Sequence, residues 1–194
     1  MYNLILDTST KYLYLALVKD DKVIKEIQTE GLKNHAGMSV FELDKMLNEA
    51  GITVDDLEGI YCGYGPGSYT GERISVTIAK MLASLKNIPL YAVSSLYLAA
   101  SGYDEKSIAV MFDARRGNVF SCLISATKEL PDKLRDKEAF LKEIGDSFIV
   151  TEDNFKVNPI KVMQHASLVT EPDGFVPNYL RISEAEYNLE HRND

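Results

Sequence analysis

The first thirty residues constrain the fold of this chain more than any other part of the sequence. Three apolar runs, at residues 3–6, 12–18 and 23–27, are separated only by short polar links. The first link opens with Asp7, and the second is a tight turn at residues 19–22. Links this short cannot carry a crossover between parallel strands, so the three runs predict an antiparallel three-stranded meander.

After this meander the apolar residues recur at helical spacing. One stripe predicts a helix that Gly51 ends. The stripe consists of Ala36, Val40, Leu43, Leu47 and Ala50. Two strands follow, at residues 57–62 and 89–93, and each leads into a helical segment, the second capped by Ser94 or Ser95. The resulting order, β-β-β-α-β-α-β-α, is typical of the ribonuclease-H-like layout.

The second half of the chain repeats this beginning in shorter form. A strand at residues 108–112 ends at Asp113, and residues 119–124 form its hairpin mate, much as the first strand ends at Asp7 before the next one. The charged stretch that follows predicts a helix from Asp132 to about residue 143. A brief strand at 147–150 and a short helix at 159–168 complete the pattern.

These patterns together predict an α/β protein with an actin-like (ASKHA, ribonuclease-H-like) fold. A mixed sheet flanked by helices would form each of two lobes, the second abbreviated. We place an N-terminal lobe at residues 1–102 and a reduced C-terminal lobe at residues 103–194.

Charge and cysteine content limit the classes of function. The chain has 21 Lys and Arg residues against 29 Asp and Glu residues, a net charge of −8, so it should bind RNA poorly without a basic partner. Its two cysteines, Cys62 and Cys122, do not make a disulfide framework. The sequence has no signal-peptide pattern and no apolar stretch of membrane-spanning length, so we expect a cytoplasmic protein with no membrane contact.

A glycine-rich segment at residues 63–71 lies between a predicted strand and a predicted helix, and we call it the glycine segment. A Walker A loop needs Lys followed by Ser or Thr after its last glycine, and here Glu72 and Arg73 stand there. The spacing of the dinucleotide fingerprint is also absent. Glu72 in the first helical turn would repel an anion. A ligand role and a plain strand–helix turn, with Thr70 as the helix cap, both stay open.

Asp7 and Asp113 each follow a strand at a hairpin turn, where kinases of the actin-like superfamily hold a metal-bound phosphate. The glycine that usually follows such an aspartate is absent from both turns, so turn-capping aspartates are favoured over nucleotide ligands. A nuclease of the ribonuclease H type would need several converging carboxylates, and only Asp7 and Glu42 are available. The three histidines, His35, His165 and His191, form no helical pair of metal ligands.

The first two helices have apolar residues on a second face. Met38 and Phe41 lie opposite the first stripe, counting 100° per residue. On the second helix, Val76, Ala79 and Ala83 lie opposite a stripe that runs from Ile74 to Leu85. One face can cover the sheet, and the other either packs within the chain or binds a partner. We take Met38, Phe41, Val76, Ala79 and Ala83 as candidate interface residues.

Four segments in chain order resemble a known family. They are residues 5–10 of the first strand and turn, residues 63–73, residues 113–120 of the second hairpin, and residues 177–186 near the end. The second segment carries the distinctive pattern Gly-Pro-Gly-Ser-aromatic-Thr-Gly-x-Arg. Its residues are Gly65, Pro66, Gly67, Ser68, Thr70, Gly71 and Arg73, with Tyr69 as the aromatic residue. The chain resembles the TsaB (YeaZ) family of bacterial proteins for threonylcarbamoyladenosine biosynthesis in tRNA.

The resemblance implies a scaffold that activates a catalytic paralogue of the TsaD type, which transfers threonylcarbamoyl to the adenosine beside the anticodon in tRNAs reading ANN codons. It implies pairing through helices of the N-terminal lobe, a TsaE-type ATPase as a further partner, and a homodimer when the chain is alone. The chain would bind tRNA only through the complex. The family lacks the His-x-x-x-His metal site of TsaD, and here His35 is followed by Ser39.

The same resemblance implies no cofactor of the chain's own, although a nucleotide could sit at the subunit interface. The alternative function is that of a small ATP-binding kinase or ATPase of the actin-like superfamily, using Asp7 and Asp113.

Overall fold

The computed structural model describes residues 1–30 and 35–180. Ten strands and five α-helices alternate along this part of the chain. The strands are β1 (Tyr2–Asp7), β2 (Tyr12–Lys19), β3 (Lys22–Glu30), β4 (Leu57–Gly63), β5 (Leu90–Val93), β6 (Ser107–Asp113), β7 (Asn118–Ser125), β8 (Leu130–Asp136), β9 (Phe148–Val150) and β10 (Ser167–Leu168). The helices are α1 (His35–Glu49), α2 (Tyr69–Lys86), α3 (Ser95–Ala100), α4 (Lys137–Ile144) and α5 (Pro159–His165).

Two sheets carry the fold. The first has the order β10-β5-β4-β1-β2-β3, and the second has the order β8-β7-β6-β9. In each sheet an antiparallel three-stranded meander is extended by a parallel strand, β4 beside β1 and β9 beside β6. The second sheet is therefore a shortened copy of the first, and the predicted actin-like, ribonuclease-H-like arrangement is confirmed.

The central strands of the first sheet, β1, β2 and β4, are buried on both faces, because they are apolar at successive positions. Leu4 and Leu6 of β1 face a core that α1 and α2 cover, whereas Ile5 faces the opposite core. This opposite core runs through α3, by way of Leu96 and Leu98, to the second sheet. The two lobes thus share one continuous apolar core, and α3 is the element that joins them.

The second lobe has one strand that the sequence analysis missed. Residues 130–136 form β8 at the edge of the second sheet, and the helix begins only at Lys137, after the Asp136 side chain caps it by accepting a hydrogen bond from the Ala139 amide. The prediction of a helix from Asp132 was wrong, because pairing with β7 overrides the local charged composition. Phe140 and Ile144 of α4 then cover the outer face of this sheet.

The end of the described chain returns to the first lobe. Helix α5 ends at His165, earlier than predicted, and β10 then pairs with β5. Residues 169–180, which we call the C-terminal strap, continue along α2. Asn178 donates its amide hydrogen to the carbonyl of Tyr64, and Ser84 donates to Asp173. Residues 167–180 therefore contact the first lobe, although the sequence-based boundary placed them in the second.

In the described ranges 1–30 and 35–180, no helix combines the length and the apolar character needed to cross a membrane. Residues 181–186 of the C-terminal family segment, and His191, lie outside the described ranges.

Candidate functional site

The turn between β1 and β2 is a buried polar cluster. Asp7, Thr8, Ser9 and Thr10 are all at most 3% exposed. Oδ1 of Asp7 accepts a hydrogen bond of 2.7 Å from the Ser9 amide, and Oδ2 accepts one from the hydroxyl of Ser95 on α3. Ser95 in turn accepts from the amide of Gly65, at 2.9 Å. The cluster therefore ties β1, α3 and the glycine segment together.

The glycine segment lies directly on this turn, at distances that only glycine permits. A Cβ placed on Gly63 would lie 1.7 Å from Oδ2 of Asp7, and one on Gly71 would lie 1.9 Å from the carbonyl oxygen of Thr8. A Cβ on Gly67 would lie 2.2 Å from the carbonyl oxygen of Ser9. The glycines thus let the backbone of the glycine segment approach the chain's own β1–β2 turn closely.

Hydrogen bonds between the turn and the start of α2 fix this contact. The Ser68 amide donates to the Ser9 carbonyl at 2.6 Å, and the Thr8 hydroxyl donates to the Gly71 carbonyl at 2.6 Å. Ser68 is the N-cap of α2, and its hydroxyl accepts from the Gly71 amide. The expectation that Thr70 caps this helix was wrong, because the cap is Ser68, two residues earlier, and the helix begins at Tyr69.

The side chain of Glu72 is buried beneath the glycine segment. It folds under Gly65, is 2% exposed, and accepts a hydrogen bond of 2.6 Å from the Gly67 amide through Oε1. The pKa of Glu72 is raised to about 8. Burial is the largest cause, the hydrogen bond from Gly67 lowers the pKa in part, and the charge of the nearby Asp7 adds to the rise. The sequence indicated that Glu72 disfavours an anion here, and in the structure its carboxyl accepts the hydrogen bond from the Gly67 amide.

Asp7 and Asp113, the two candidate nucleotide ligands of the alternative function, lie in different environments. Asp7 is 1% exposed, and burial raises its pKa to about 6, although hydrogen bonds from Ser95 and Ser9 lower it in part. Asp113 is exposed and accepts a hydrogen bond from the Arg115 amide within its own turn. This geometry is against a nucleotide role for Asp7, because Gly63 and Ser95 occupy the space around its carboxyl.

The remaining family residues lie at the start of α2. Arg73 is exposed and lies over the ring of Tyr69, 4.9 Å from its centroid. Tyr69 also contacts Tyr179 of the C-terminal strap, with the ring centroids 5.2 Å apart. Thr70 is exposed, whereas Pro66 is buried within the glycine segment. The segment therefore connects the buried turn to a surface formed by α2 and the strap.

Helix α2 presents the opposite face from the one predicted. Val76, Ala79 and Ala83 are 4%, 0% and 2% exposed and belong to the core under the first sheet. The expectation that these three residues face a partner was wrong. Small side chains let α2 approach β1 and β4 closely, and the larger side chains of Met81 and Leu85 then point outward.

Each of the two packed helices exposes two large apolar side chains. Val40 and Phe41 of α1 are 57% and 65% exposed, and Met81 and Leu85 of α2 are 55% and 75% exposed. We call these four residues the outer face. Of the predicted interface residues on α1, Phe41 belongs to this face, whereas Met38 is half-buried and packs against the core.

No group of three or more metal-binding side chains occurs in the part of the chain that the structure describes. The ring of His165 stacks on Tyr97, with centroids 3.6 Å apart. Cys62 and Cys122 are both buried free thiols. Sequence reasoning missed Ser95 and the buried role of Glu72, because both depend on contacts with Asp7, which is distant along the chain.

Comparison with known proteins gives consistent matches across the chain. Residues 24–144 match the family model described as TsaD, tRNA N6-adenosine threonylcarbamoyltransferase. The chain is 34% identical to the tRNA threonylcarbamoyladenosine biosynthesis protein TsaB of Bacillus subtilis, over 94% of this chain and 95% of that protein. It is also 34% identical to TsaB of Buchnera aphidicola, over 90% of each chain.

A solved structure agrees with the fold. YeaZ from Pseudomonas aeruginosa superposes with a TM-score of 0.74 at 20% identity, covering 92% of this chain and 99% of that one.

Proposed function

The chain belongs to the TsaB family and has a role in tRNA threonylcarbamoyladenosine biosynthesis, and from this premise we propose that it is the non-catalytic subunit that binds and activates a TsaD-type paralogue. The observation that carries the proposal is the outer face, where four large apolar side chains of two adjacent helices are exposed. Large apolar side chains exposed on adjacent helices of a folded protein are typical of an interaction site.

The partner is inferred from the shared architecture. The TsaD family model covers residues 24–144, which include both helices of the outer face. A paralogue with the same fold has equivalent helices at the equivalent place, so the two chains can pair across an approximate two-fold axis. The same geometry lets two copies of this chain pair when the paralogue is absent, which supports the proposed homodimer.

The chain's own chemistry supports a non-catalytic role. Asp7, which a kinase of this fold would use at its phosphate site, is buried and bonded to Ser9 and Ser95. We therefore place the transfer reaction on the TsaD-type paralogue. A nucleotide, if the complex holds one, would lie at a subunit interface, and a TsaE-type ATPase would join the same assembly.

Contact with tRNA is proposed to come through the complex. A net charge of −8 repels the phosphate backbone, so a basic surface on a partner has to supply most of the binding. We propose that the protein acts in the cytoplasm. Two free, buried cysteines agree with a reducing compartment.

The proposal is tested by charge substitutions on the outer face. Phe41→Glu and Leu85→Glu should each weaken binding to the TsaD-type paralogue at least tenfold, because a central apolar contact is commonly worth more than about 1.4 kcal/mol. Both side chains are exposed, so the variants should keep the fold and its thermal midpoint. Binding is measured by calorimetry with the purified paralogue.

Leu141→Glu provides the matched control. Leu141 is an exposed leucine on α4, away from the outer face, and its substitution should leave binding unchanged. Wild-type affinity in both outer-face variants would overturn the assignment of this surface.

A further inference from the structure

The carboxyl of Glu72 is enclosed and only half satisfied. Oε1 accepts the hydrogen bond from the Gly67 amide, whereas Oε2 is buried and has no hydrogen-bond partner among the described residues. An ionised carboxylate loses its hydration on burial and needs compensating donors at both oxygens. A single amide does not supply them.

The neighbouring groups make ionisation less favourable still. Asp7, from β1, is buried in the same enclosure and acts on Glu72 by charge repulsion. Of the other titratable groups, Cys62 of β4 interacts with Asp7, and burial raises the pKa of its thiol, so it is neutral at physiological pH. Tyr64, in the glycine segment, is also neutral, because burial raises its pKa. On its own helix, Arg73 is turned to the exposed ring of Tyr69. The titratable groups from β1, β4 and the glycine segment thus bring no cation to Glu72.

Two observations favour a proton as the group that satisfies this carboxyl. Gly63 packs against the Asp7 carboxyl and Gly65 against the Glu72 carboxyl, so there is little room beside either group for a hydrated cation. A proton neutralises Glu72 without needing space, and it removes the repulsion from Asp7. At neutral pH the closed glycine segment therefore contains a carboxylic acid.

We propose that Glu72 is a proton-operated latch, which holds the glycine segment closed on the β1–β2 turn while protonated and releases it on ionisation. The carboxyl can gain water only if the residues above it move, and those residues are Gly65 and Gly67. The motion is local, because the strands beneath are held by their own ladders.

Release would act on the start of α2. Ser68 caps this helix and is itself bonded to Ser9 of the buried turn. When the segment lifts, the first turn that carries Tyr69 and Arg73 loses the Ser68 cap and the Ser68–Ser9 hydrogen bond. The latch is a property of the single chain and does not depend on the proposed partner.

Hydrogen exchange on the full-length chain tests the latch. Protection of the amides at residues 64, 65 and 67–71, corrected for the intrinsic pH dependence of exchange, should fall up to about tenfold per pH unit above the ionisation of Glu72. Glu72→Gln mimics the protonated acid and should keep this protection between pH 6 and 9. Glu58→Gln, at an exposed glutamate of β4, should behave as the wild type.

Parallel loss of protection in wild type and Glu72→Gln would overturn the proposal. A loss of protection in β1 and β2 equal to that in the glycine segment would overturn it too. Either result would show that Glu72 does not control the opening. A direct measurement covers the case in which the variant fails to fold. The carboxyl carbon of Glu72 in the wild-type chain, followed by NMR, should titrate well above the ordinary range of glutamate. A midpoint between about 4 and 5 contradicts the latch.

Discussion

Replacing Glu72 with glutamine should remove the pH dependence of stability that the buried Glu72 carboxyl causes. Glu72 is 2% exposed, and burial raises its pKa to about 8 in the folded chain, compared with 4.5 for the group in water. The folded chain therefore holds this proton more tightly than the unfolded chain does. Its contribution to stability is fully present below about pH 4.5 and is lost as the pH rises through 8.

The size of the effect follows from that interval. At about 1.4 kcal/mol for each pH unit, the difference between 4.5 and about 8 corresponds to about 5 kcal/mol lost by the wild type. Burial also raises the pKa of Asp7, to about 6, but Asp7 is present in both proteins and its contribution largely cancels in the comparison. The glutamine amide leaves a buried donor unpaired, which should cost about 1–3 kcal/mol at every pH.

Urea unfolding at a series of pH values from 5 to 9 measures this. At pH 5 the wild type should be the more stable protein. By pH 8.5 the order should reverse, because the wild type has lost the contribution of the Glu72 proton and Glu72→Gln has not. Glu58→Gln controls for loss of an exposed charge. If the unfolding free energies of wild type and Glu72→Gln fall in parallel across this range, the reasoning about the buried acid is wrong.

Two further predictions concern buried positions. Ala79→Arg should destabilise the chain by more than about 3 kcal/mol, visible as a lower thermal midpoint or insoluble protein, because Ala79 is 0% exposed in the core. Gly71→Ala should cost about 1–3 kcal/mol in urea unfolding, because the new Cβ would lie 1.9 Å from the Thr8 carbonyl oxygen. Gly174→Ala, with its nearest contact at 3.9 Å, should be neutral, and equal losses in the two glycine variants would contradict the packing argument.

The periodicity of the sequence predicts most of the first lobe, because its strands and helices are long and their links short. It does not decide which side of α2 is buried. Both stripes of that helix are apolar, and the 100° count gives their separation without giving their direction. In the structure the small residues Ala79 and Ala83 pack against the sheet, and the sequence alone does not show this.

Local composition fails where long-range pairing determines structure. Residues 130–136 are charged and carry no clear alternation, yet they form β8, since β7 offers an unpaired edge. Glu72 shows the same limit for the site. The negative charge of Glu72 at the start of a helix can be read from the sequence, but only the fold brings Glu72 beside Asp7, 65 positions earlier in the chain.

The amount of threonylcarbamoyladenosine in bulk tRNA tests the central claim most directly. Cells depleted of this protein should lose the modified nucleoside, and the wild-type chain should restore it. Asp113→Ala should restore it as well, since Asp113 is exposed and has no catalytic role in this account. Leu85→Glu should not, because it removes the surface for the paralogue. An unchanged nucleoside level after depletion would contradict the role in this pathway, and full restoration by Leu85→Glu would contradict the proposed interface.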